Sequence, residues 1–277
     1  MDDYSALNQI KLHTQSSIVS SQLDIELLVS HLLEIDRNTL YRDNPQLTVE
    51  IINELKELIQ RREKGEPLAY LVNSIEFWNL NLYVDHNVLV PRPETEILVQ
   101  KVLEIFDKKK IRVLDLGTGS GAIGLSLAKE RANWKVVCSD LSYEALKVTT
   151  KNMIRNSLDV SLVNSNWLSA FKKEYFDVIV SNPPYINPSD HRVYSDGLKF
   201  EPKKALISES GGLYDIEKIV REASEILNNI GYLFIEHGYD QSDLVVSIFE
   251  TYGFSQIRTF KDLNGDDRVC LGKLNRC

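Results

Sequence analysis

From residue 111 onward, short apolar runs alternate with stretches of helical spacing, and no other feature of the chain constrains its fold as much. Residues 111–116, 135–139, 160–163 and 176–181 are brief, bounded and rich in Val and other apolar residues, as buried strands are. Helical patterns occupy 121–130 and 142–156 between them. Further on, the spacing predicts a helix at 214–228, a strand at 232–236, a helix at 240–252 and closing strands near 255–260 and 268–274. Buried-type strands alternating with helices predict a doubly wound α/β sheet. In such a sheet ligands bind beyond the carboxyl ends of the strands, so the residues that follow each strand carry the chemistry.

The first strand runs into Asp115-Leu116-Gly117-Thr118-Gly119-Ser120-Gly121, and a helix follows. Glycines at such a turn let the chain bend sharply and let a ligand lie against bare backbone, with helix N–H groups pointing at it. Gly117, Gly119 and Ala122 also satisfy the G-x-G-x-x-G/A dinucleotide fingerprint, and Asp140 follows at the expected distance of about 20 residues. The turn predicts a nucleoside-bearing cofactor without saying which one. Asp140, at the end of the second strand, can accept hydrogen bonds from both hydroxyls of a ribose. Its other role, capping the next helix, falls more naturally to Ser142. Cys138 has no histidine placed to activate it and reads as a small buried strand residue.

The fourth strand separates the alternatives, because it runs straight into Asn182-Pro183-Pro184-Tyr185. Two prolines fix the backbone and remove two N–H donors, which turns carbonyl oxygens outward as acceptors. Asn182 adds a side-chain oxygen and Tyr185 a flat aromatic face. Together they describe a slot for a planar –NH2 group. Two acceptors take its two N–H bonds, the ring stacks on its plane, and the nitrogen lone pair is left as the one free direction. Asn-Pro is also a common turn opener, but a turn explains neither the aromatic nor its place at the ligand-binding edge. An amide or exocyclic nitrogen is a weak nucleophile, and hydrogen bonds that strengthen as it pyramidalises stabilise the transition state over the ground state. With a sulfonium methyl held in line about 3 Å away, these residues predict N-methylation dependent on S-adenosyl-L-methionine (SAM).

Upstream of the sheet the period differs. Residues 4–62 read as helical: Leu23, Leu27, Leu28, Leu32 and Leu33 recur at three- and four-residue steps, as do Ile51, Ile52, Leu55, Leu58 and Ile59 after an N-cap at Thr48. Gly65-Glu66-Pro67 breaks that pattern. Residues 77–90 alternate and then give Val88-Leu89-Val90, which predicts a short β-hairpin, and 94–106 return to helical spacing. The formal net charge is −8, and residues 1–75 hold 7 Lys/Arg against 12 Asp/Glu. So acidic a chain has no overall pull toward polyphosphate, which argues against a nucleic-acid partner. Three cysteines without CxxC spacing offer no disulfide or zinc framework, and five histidines without ligand spacing predict no metal. With no signal-peptide pattern and no membrane-length apolar run, the expectation is a cytoplasmic protein that does not engage a membrane.

The chain closely resembles the release factor glutamine N5-methyltransferases, the HemK/PrmC family, from about residue 61 to its C-terminus. The likeness is carried by Arg61-Arg62, Gly65-Glu66-Pro67-Leu68-Ala69-Tyr70, Pro91-Arg92-Pro93-Glu94-Thr95-Glu96 and the 115–121 turn. Asn182-Pro183-Pro184-Tyr185-Ile186, Glu201-Pro202 with Ala205-Leu206, Gly212-Leu213, and Gly265 with Asp267-Arg268-Val269 complete it. The Asn-Pro-Pro-Tyr element is shared with amino-methyltransferases of DNA and ribosomal RNA, whereas Pro-Arg-Pro-Glu-Thr-Glu is far more specific.

The resemblance implies an α/β class I methyltransferase with a Rossmann-like, seven-stranded mixed sheet. Residues 1–75 would be a helical substrate-recognition domain, 76–90 a β-hairpin linker and 91–277 the SAM-dependent methyltransferase domain. The implied reaction methylates N5 of the glutamine in the Gly-Gly-Gln motif of class I peptide chain release factors. By motif, Gly117, Thr118, Gly119, Ser120 and Gly121 would hold the methionine portion of SAM, Asp140 its ribose and Trp167 its adenine, with Asn182 bordering both cofactor and substrate. Asn182, Pro183, Pro184 and Tyr185 would grip the glutamine amide, with Asn182, Pro183 and Tyr185 as the catalytic set. Family members generally carry Asp where this chain has Asn166, which keeps an acceptor for the adenine amino group but loses its charge. They usually carry Gly where this chain has Asn79, a residue that tolerates positive φ.

Other readings stay open at this point. Arg92, Glu94 and Glu96 either contact the substrate loop or fix the start of a helix, and Glu201 is a candidate clamp on the active-site loop. Lys108-Lys109-Lys110 reads as a solvated helix C-terminus. Residues 186–200, with Asp190, His191, Arg192 and Tyr194, form a polar loop expected to close over substrate. The alternative substrate is an exocyclic base amine in DNA or RNA, which the acidic composition disfavours. A nicotinamide-dependent oxidoreductase leaves residues 182–185 without a role, and a non-catalytic adaptor leaves Asn182 without one.

Overall fold

The computed structural model describes residues 4–16, 21–106, 110–195 and 197–276. Lys108, Lys109 and Cys277 lie outside the described residues. The chain forms two compact units, Met1–Ser74 with Tyr194–Phe200 and Ile75–Val193 with Glu201–Cys277.

The first unit is helical: α1 (Ala6–Ser16), α2 (Gln22–Leu33), α3 (Arg37–Asp43), α4 (Val49–Glu63) and the single turn α5 (Leu68–Leu71). Ser21, Asp36 and Thr48 cap α2, α3 and α4, each side-chain oxygen accepting a backbone N–H three residues on. Ile25, Leu28, Leu40, Leu55 and Ile59 meet in its core. The buried carboxylate of Glu26 is compensated by Arg37, by the Tyr41 hydroxyl and by Gln22 at 2.8 Å. Residues 194–200 return to this unit, where the Gly197 N–H donates to the Gly65 carbonyl at 3.1 Å.

The second unit opens with the hairpin β1 (Ile75–Phe77) and β2 (Leu80–Leu82). After a helical turn at Pro93–Thr95 come α6 (Glu96–Ile105), β3 (Arg112–Leu116), α7 (Ala122–Glu130), β4 (Lys135–Asp140), α8 (Tyr143–Arg155), β5 (Ser161–Asn164) and β6 (Phe176–Ser181). The chain closes with α9 (Glu209–Gly212), α10 (Tyr214–Ile226), β7 (Leu227–Glu236), α11 (Ser242–Thr251), β8 (Phe254–Lys261) and β9 (Asp267–Asn275). Seven strands form one sheet in the order β5-β4-β3-β6-β7-β9-β8. The first five of these are parallel, and β9 runs antiparallel to both β7 and β8. The sheet is buried on both faces. Val113, Val178, Val180 and Phe234 pack on one side with Leu98, Val102, Leu125 and the hairpin's Phe77 and Leu82. Their strand neighbours Leu114, Ile179, Leu233 and Ile235 pack on the other with Ile216, Ile219, Val220, Val245 and Phe249.

Three expectations change. Residues 88–90 form no strand, because the Val90 N–H donates to the Glu201 carboxylate at 3.0 Å instead of to a neighbouring strand. The helix predicted to 228 stops at Ile226, and β7 starts at Leu227 rather than 232, its pairing with β6 interrupted between Phe176 and Val178. The positive φ of the hairpin turn falls on Trp78 (54°), not on Asn79. Trp78 is held there by its own hydrogen bonds, N–H to Glu96 at 2.6 Å and indole N–H to Glu130 at 2.8 Å. Glu96 thus fixes the hairpin turn as well as beginning α6. Among the described residues, no helix is long and apolar enough to cross a membrane.

Candidate active site

The chain order of the sheet reverses between β3 and β6: β4 and β5 lie beyond β3, while β7 lies beyond β6. A crevice opens at the carboxyl ends of strands where such a reversal occurs. Both motifs singled out by sequence reach it, the glycine turn from β3 and Asn182-Pro183-Pro184-Tyr185 from β6. Ser181 ties the two strand ends together, its hydroxyl donating to the Leu116 carbonyl at 2.7 Å. A cavity of ≈ 640 Å³ opens here, within the range that holds a nucleoside-sized ligand. Gly117, Thr118, Gly119, Ser120, Asp140, Trp167, Asn182 and Pro184 all line it, while Gly121, Pro183 and Tyr185 are not among its lining residues.

The glycine turn is held from below by two carboxylates. Asp115 is fully buried, and its Oδ2 accepts the Thr118 hydroxyl at 2.6 Å and the Gly124 N–H at 2.8 Å. Burial pushes its carboxyl up to about 6, and the charge of Asp140 acts in the same direction, against those two hydrogen bonds. Gly124 has to be glycine, because a Cβ there would lie 2.4 Å from the Cys138 sulfur and 2.9 Å from Asp115 Oδ2. Asp140 accepts the Gly119 N–H on Oδ2 at 2.9 Å and the Ser142 N–H on Oδ1 at 2.8 Å, and burial raises its pKa too. Ser142, not Asp140, caps α8.

These bonds alter one expectation. The N–H groups of Gly117, Thr118, Gly119, Gly121 and Gly124 are all taken by protein acceptors, so they do not point at a ligand. What the turn offers is bare surface: a Cβ on Gly119, at φ +57°, would meet nothing within 4 Å. A pyrophosphate needs free N–H donors and a positive helix start. At the cavity the N–H groups of Ser120, Ala122 and Ile123 have no acceptor among the described residues, and Asp140 adds a carboxylate beside them.

Trp167 follows β5 at φ 46°, its ring over Gly117 and its indole N–H donating to Asp215 at 3.1 Å. Asn166 is exposed on the cavity rim, and its oxygen accepts the Lys218 ammonium at 3.4 Å. Leu141, exposed beside Asp140, adds an apolar wall that the sequence reading missed.

On the other side, the Asn182 Nδ2–H donates to the hydroxyl of buried Thr95 at 3.1 Å, which leaves its Oδ1 as an acceptor at the cavity. The Pro183 carbonyl accepts no hydrogen bond among the described residues. Tyr185 is partly buried, and its hydroxyl donates to Glu236 Oε1 at 3.2 Å. Burial and the negative charge of Glu236 both raise the tyrosine's pKa. The next residue is pinned as well: the Ile186 N–H donates to Leu206, and the Ser208 N–H to Ile186. Glu201, buried, binds both the Arg92 guanidinium and the Val90 N–H, so it clamps the segment before α6 onto the one after the active-site turn. Burial raises its pKa against the pull of Arg92.

Thr95, Glu236 and Gln241 went unnoticed in the sequence. Glu236 ends β7, so the rule that drew attention to the other strand ends applies to it equally. Thr95 lies inside the Pro-Arg-Pro-Glu-Thr-Glu element, among charged neighbours that drew the attention. Residues 186–200 are not one flap: turns at His191–Tyr194 and Leu198–Phe200 interrupt them, and Tyr194–Phe200 group with the helical unit.

Known proteins match both units. The "PrmC N-terminal domain" family matches residues 5–72 and the "Methyltransferase small domain" family residues 93–214. The "Release factor glutamine methyltransferase" of Buchnera aphidicola (from Schizaphis graminum) is 42% identical over 252 residues, covering 90% of this chain and 91% of that protein. The protein of the same name from Salmonella typhimurium is 37% identical over 276 residues, covering 98% and 96%. A 16S rRNA N2 methyltransferase of T. thermophilus, solved in complex with AdoMet and guanosine, shares the fold with a TM-score of 0.54 at 19% identity, covering 73% of this chain and 50% of that one.

Proposed function

The chain belongs to the release factor glutamine methyltransferase family, and from that premise we propose that it methylates N5 of the glutamine in the Gly-Gly-Gln motif of class I peptide chain release factors, using SAM. The observation that carries the reading is the Asn182–Thr95 hydrogen bond. It occupies the Nδ2–H and leaves the amide oxygen as the acceptor of a residue that lines the same cavity as the glycine turn and Asp140. A translation-factor substrate places the reaction in the cytoplasm.

The residues present suit SAM. Asp115 Oδ1 and the Ser139 hydroxyl are buried beneath the turn without hydrogen-bond partners among the described residues, and Gly119 leaves open space above it. The turn 117–121 would bear the methionine portion, with a carboxylate-rich floor matching its ammonium and sulfonium charges. Asp140 would accept the ribose hydroxyls while keeping its two backbone donors, since each oxygen has a further lone pair. Trp167 and Leu141 would flank the adenine. When bound, SAM supplies an electrophilic methyl group on a sulfur that leaves as a neutral thioether.

In this reading the substrate has to reach Pro183 and Tyr185 beyond the lining of the cavity. Asn182 Oδ1 and the Pro183 carbonyl would accept the two N–H bonds of the glutamine amide, and the Tyr185 ring would lie against its plane. This orients the nitrogen lone pair toward the methyl carbon. As the N–C bond forms, amide conjugation is lost and both N–H groups become more acidic, so the two acceptors bind the transition state more strongly than the ground state. One N–H proton then leaves to water. Residues 1–75 serve to recognise the release factor as a folded protein.

The test is transfer of labelled methyl from SAM to purified release factor, with DNA and RNA in parallel and the site located by mass spectrometry. Label on the Gly-Gly-Gln glutamine, lost in Asn182→Ala with SAM binding kept, is the expected result. Label on nucleic acid alone would overturn the assignment.

A further inference from the structure

Trp167 is a bulky residue in the left-handed backbone region, at φ 46°. Such a conformation costs free energy and persists only where the surroundings over-determine it. Here the Ser165 hydroxyl donates to its carbonyl at 2.9 Å, and the following Leu168 N–H donates to Glu222 at 3.2 Å. Its indole N–H donates to Asp215 Oδ1 at 3.1 Å. The six-membered edge of the ring lies over Gly117, where a Cβ would stand 3.3 Å from Cζ3. The ring is therefore held at both edges, and both anchors line the cavity with it.

Asp215 is fixed in its turn. Its Oδ2 accepts the Ser208 hydroxyl at 2.7 Å, and its own N–H donates back to Ser208 Oγ at 3.0 Å. Ser208 is buried, and its N–H donates to the carbonyl of Ile186, the residue after the Asn182–Tyr185 turn. The carboxylate that grips the indole is thus locked onto the frame of the active-site turn.

We propose that Asp215 is a positioning residue for the cofactor, setting the plane of Trp167 against which the adenine stacks. A ring contributes stacking only when it faces its partner at the right angle. An indole free to turn about its side-chain torsions must be ordered when the ligand binds, whereas one already held does not pay that cost. An ionised carboxylate holds an N–H more firmly than a neutral acceptor does. Asp215 also lines the cavity, so a direct bond to the cofactor is the competing role, and experiment separates the two. The inference rests on the cavity being the SAM site, with adenine at Trp167.

The experiment uses the full chain with SAM and unmethylated release factor. It measures SAM affinity by calorimetric titration, kcat, KM for SAM, and tryptophan emission. Trp78 and Trp134 pack in the core with Val113 and Phe234 and are not among the cavity's lining residues, so Trp167 reports on the cavity. Asp215→Ala is expected to raise Kd and KM for SAM about threefold to tenfold, with kcat at saturating SAM within about twofold. A merely structural role would lower the melting temperature and leave KM for SAM unchanged. Asp215→Asn keeps an acceptor for the indole and recovers most of the affinity. Trp167→Phe keeps an aromatic face without the N–H, and adding Asp215→Ala to it changes KM no further. If the two effects multiply instead, Asp215 binds the cofactor directly and the positioning role is overturned. If Asp215→Ala does not fold, Ser208→Ala, which frees the carboxylate to turn, takes its place with the same expected rise and the same overturning result. Unchanged SAM affinity in Asp215→Ala, with Trp167→Ala impaired, overturns the role of Asp215 and leaves the adenine wall intact. SAM affinity unchanged in Trp167→Ala, or emission quenched by SAM in Trp167→Phe as in the wild type, removes the adenine wall itself.

Discussion

Gln241 donates its side-chain N–H to the backbone carbonyl of Tyr185 at 3.0 Å, while its oxygen takes the Gly238 N–H at 2.8 Å. The residue just before α11 thus holds the last residue of the active-site turn, with a second donation to the Gly211 carbonyl at 3.3 Å. Gln241→Leu keeps the bulk but leaves buried donors and acceptors unpaired, at a cost of about 1–3 kcal/mol. The expected outcome is a lower melting temperature together with a lower kcat on release factor. A lower melting temperature with kcat unchanged would show that Gln241 stabilises the fold without holding the turn.

Gly212 packs against the same carbonyl, beside the Gln241 side chain. A Cβ there would lie 2.1 Å from the Tyr185 oxygen, and the backbone sits at φ +90°, where other residues are strained. Because the nearest obstructing atom is backbone, with Gln241 Nε2 at 2.7 Å beside it, Gly212→Ala is expected to push on the 182–185 turn. Activity should fall by more than in Gln241→Leu, with SAM affinity retained. Steady-state kinetics and calorimetric titration of SAM check both parts.

Asp115 makes stability depend on pH with a definite sign. Its carboxyl is raised from 3.8 to about 6 by burial, so the folded protein holds this proton over a range where the unfolded chain has released it. Its contribution is fully present below about pH 4 and is lost as pH rises to about 6, a change of about 3 kcal/mol. Asp115→Asn lacks this dependence. The difference in melting temperature between wild type and Asp115→Asn should therefore shift against the wild type across that window and stay flat above it. A difference that is constant from about pH 4 to about pH 7 would refute the assignment.

What the sequence disclosed and what it withheld follow from the range of the interactions. The strand Phe176–Ser181 was legible residue for residue, because a local apolar run is cut off by Asn182-Pro183-Pro184. The start of β7 was not, since Asn228, Asn229 and Gly231 break the alternation that marks a strand. Residues 88–90 look like a strand, yet the Val90 N–H is satisfied by Glu201, 111 positions away. The identity of the slot was local, four residues in a row. Its orientation was not: Thr95 and Asn182 are 87 residues apart, and Tyr185 and Glu236 are 51 apart. The spacing of the glycine turn says nothing of Asp140 and Asp115, which take the Gly119 and Gly124 N–H groups from far along the chain or from the strand before it.

The helical unit offers the last prediction. Residues 1–75 carry 7 Lys/Arg against 12 Asp/Glu, an excess of acid that has no catalytic use. Along α4 the buried residues are Ile52, Leu55 and Ile59, while Glu50, Glu54 and Glu57 are exposed. Steps of four and three residues place those three carboxylates on one stripe of the helix. An acidic stripe attracts a basic surface on a protein partner, chiefly by steering its approach, and salt screens that attraction. Replacing Glu50, Glu54 and Glu57 with Gln should raise KM for whole release factor about threefold to tenfold at low ionic strength, with SAM affinity and kcat at saturation unchanged. The difference from wild type should close as ionic strength rises, because the contribution removed is the screened one. If KM is unchanged at every salt concentration, α4 is not where the release factor docks, and the acidity of this unit serves solubility alone.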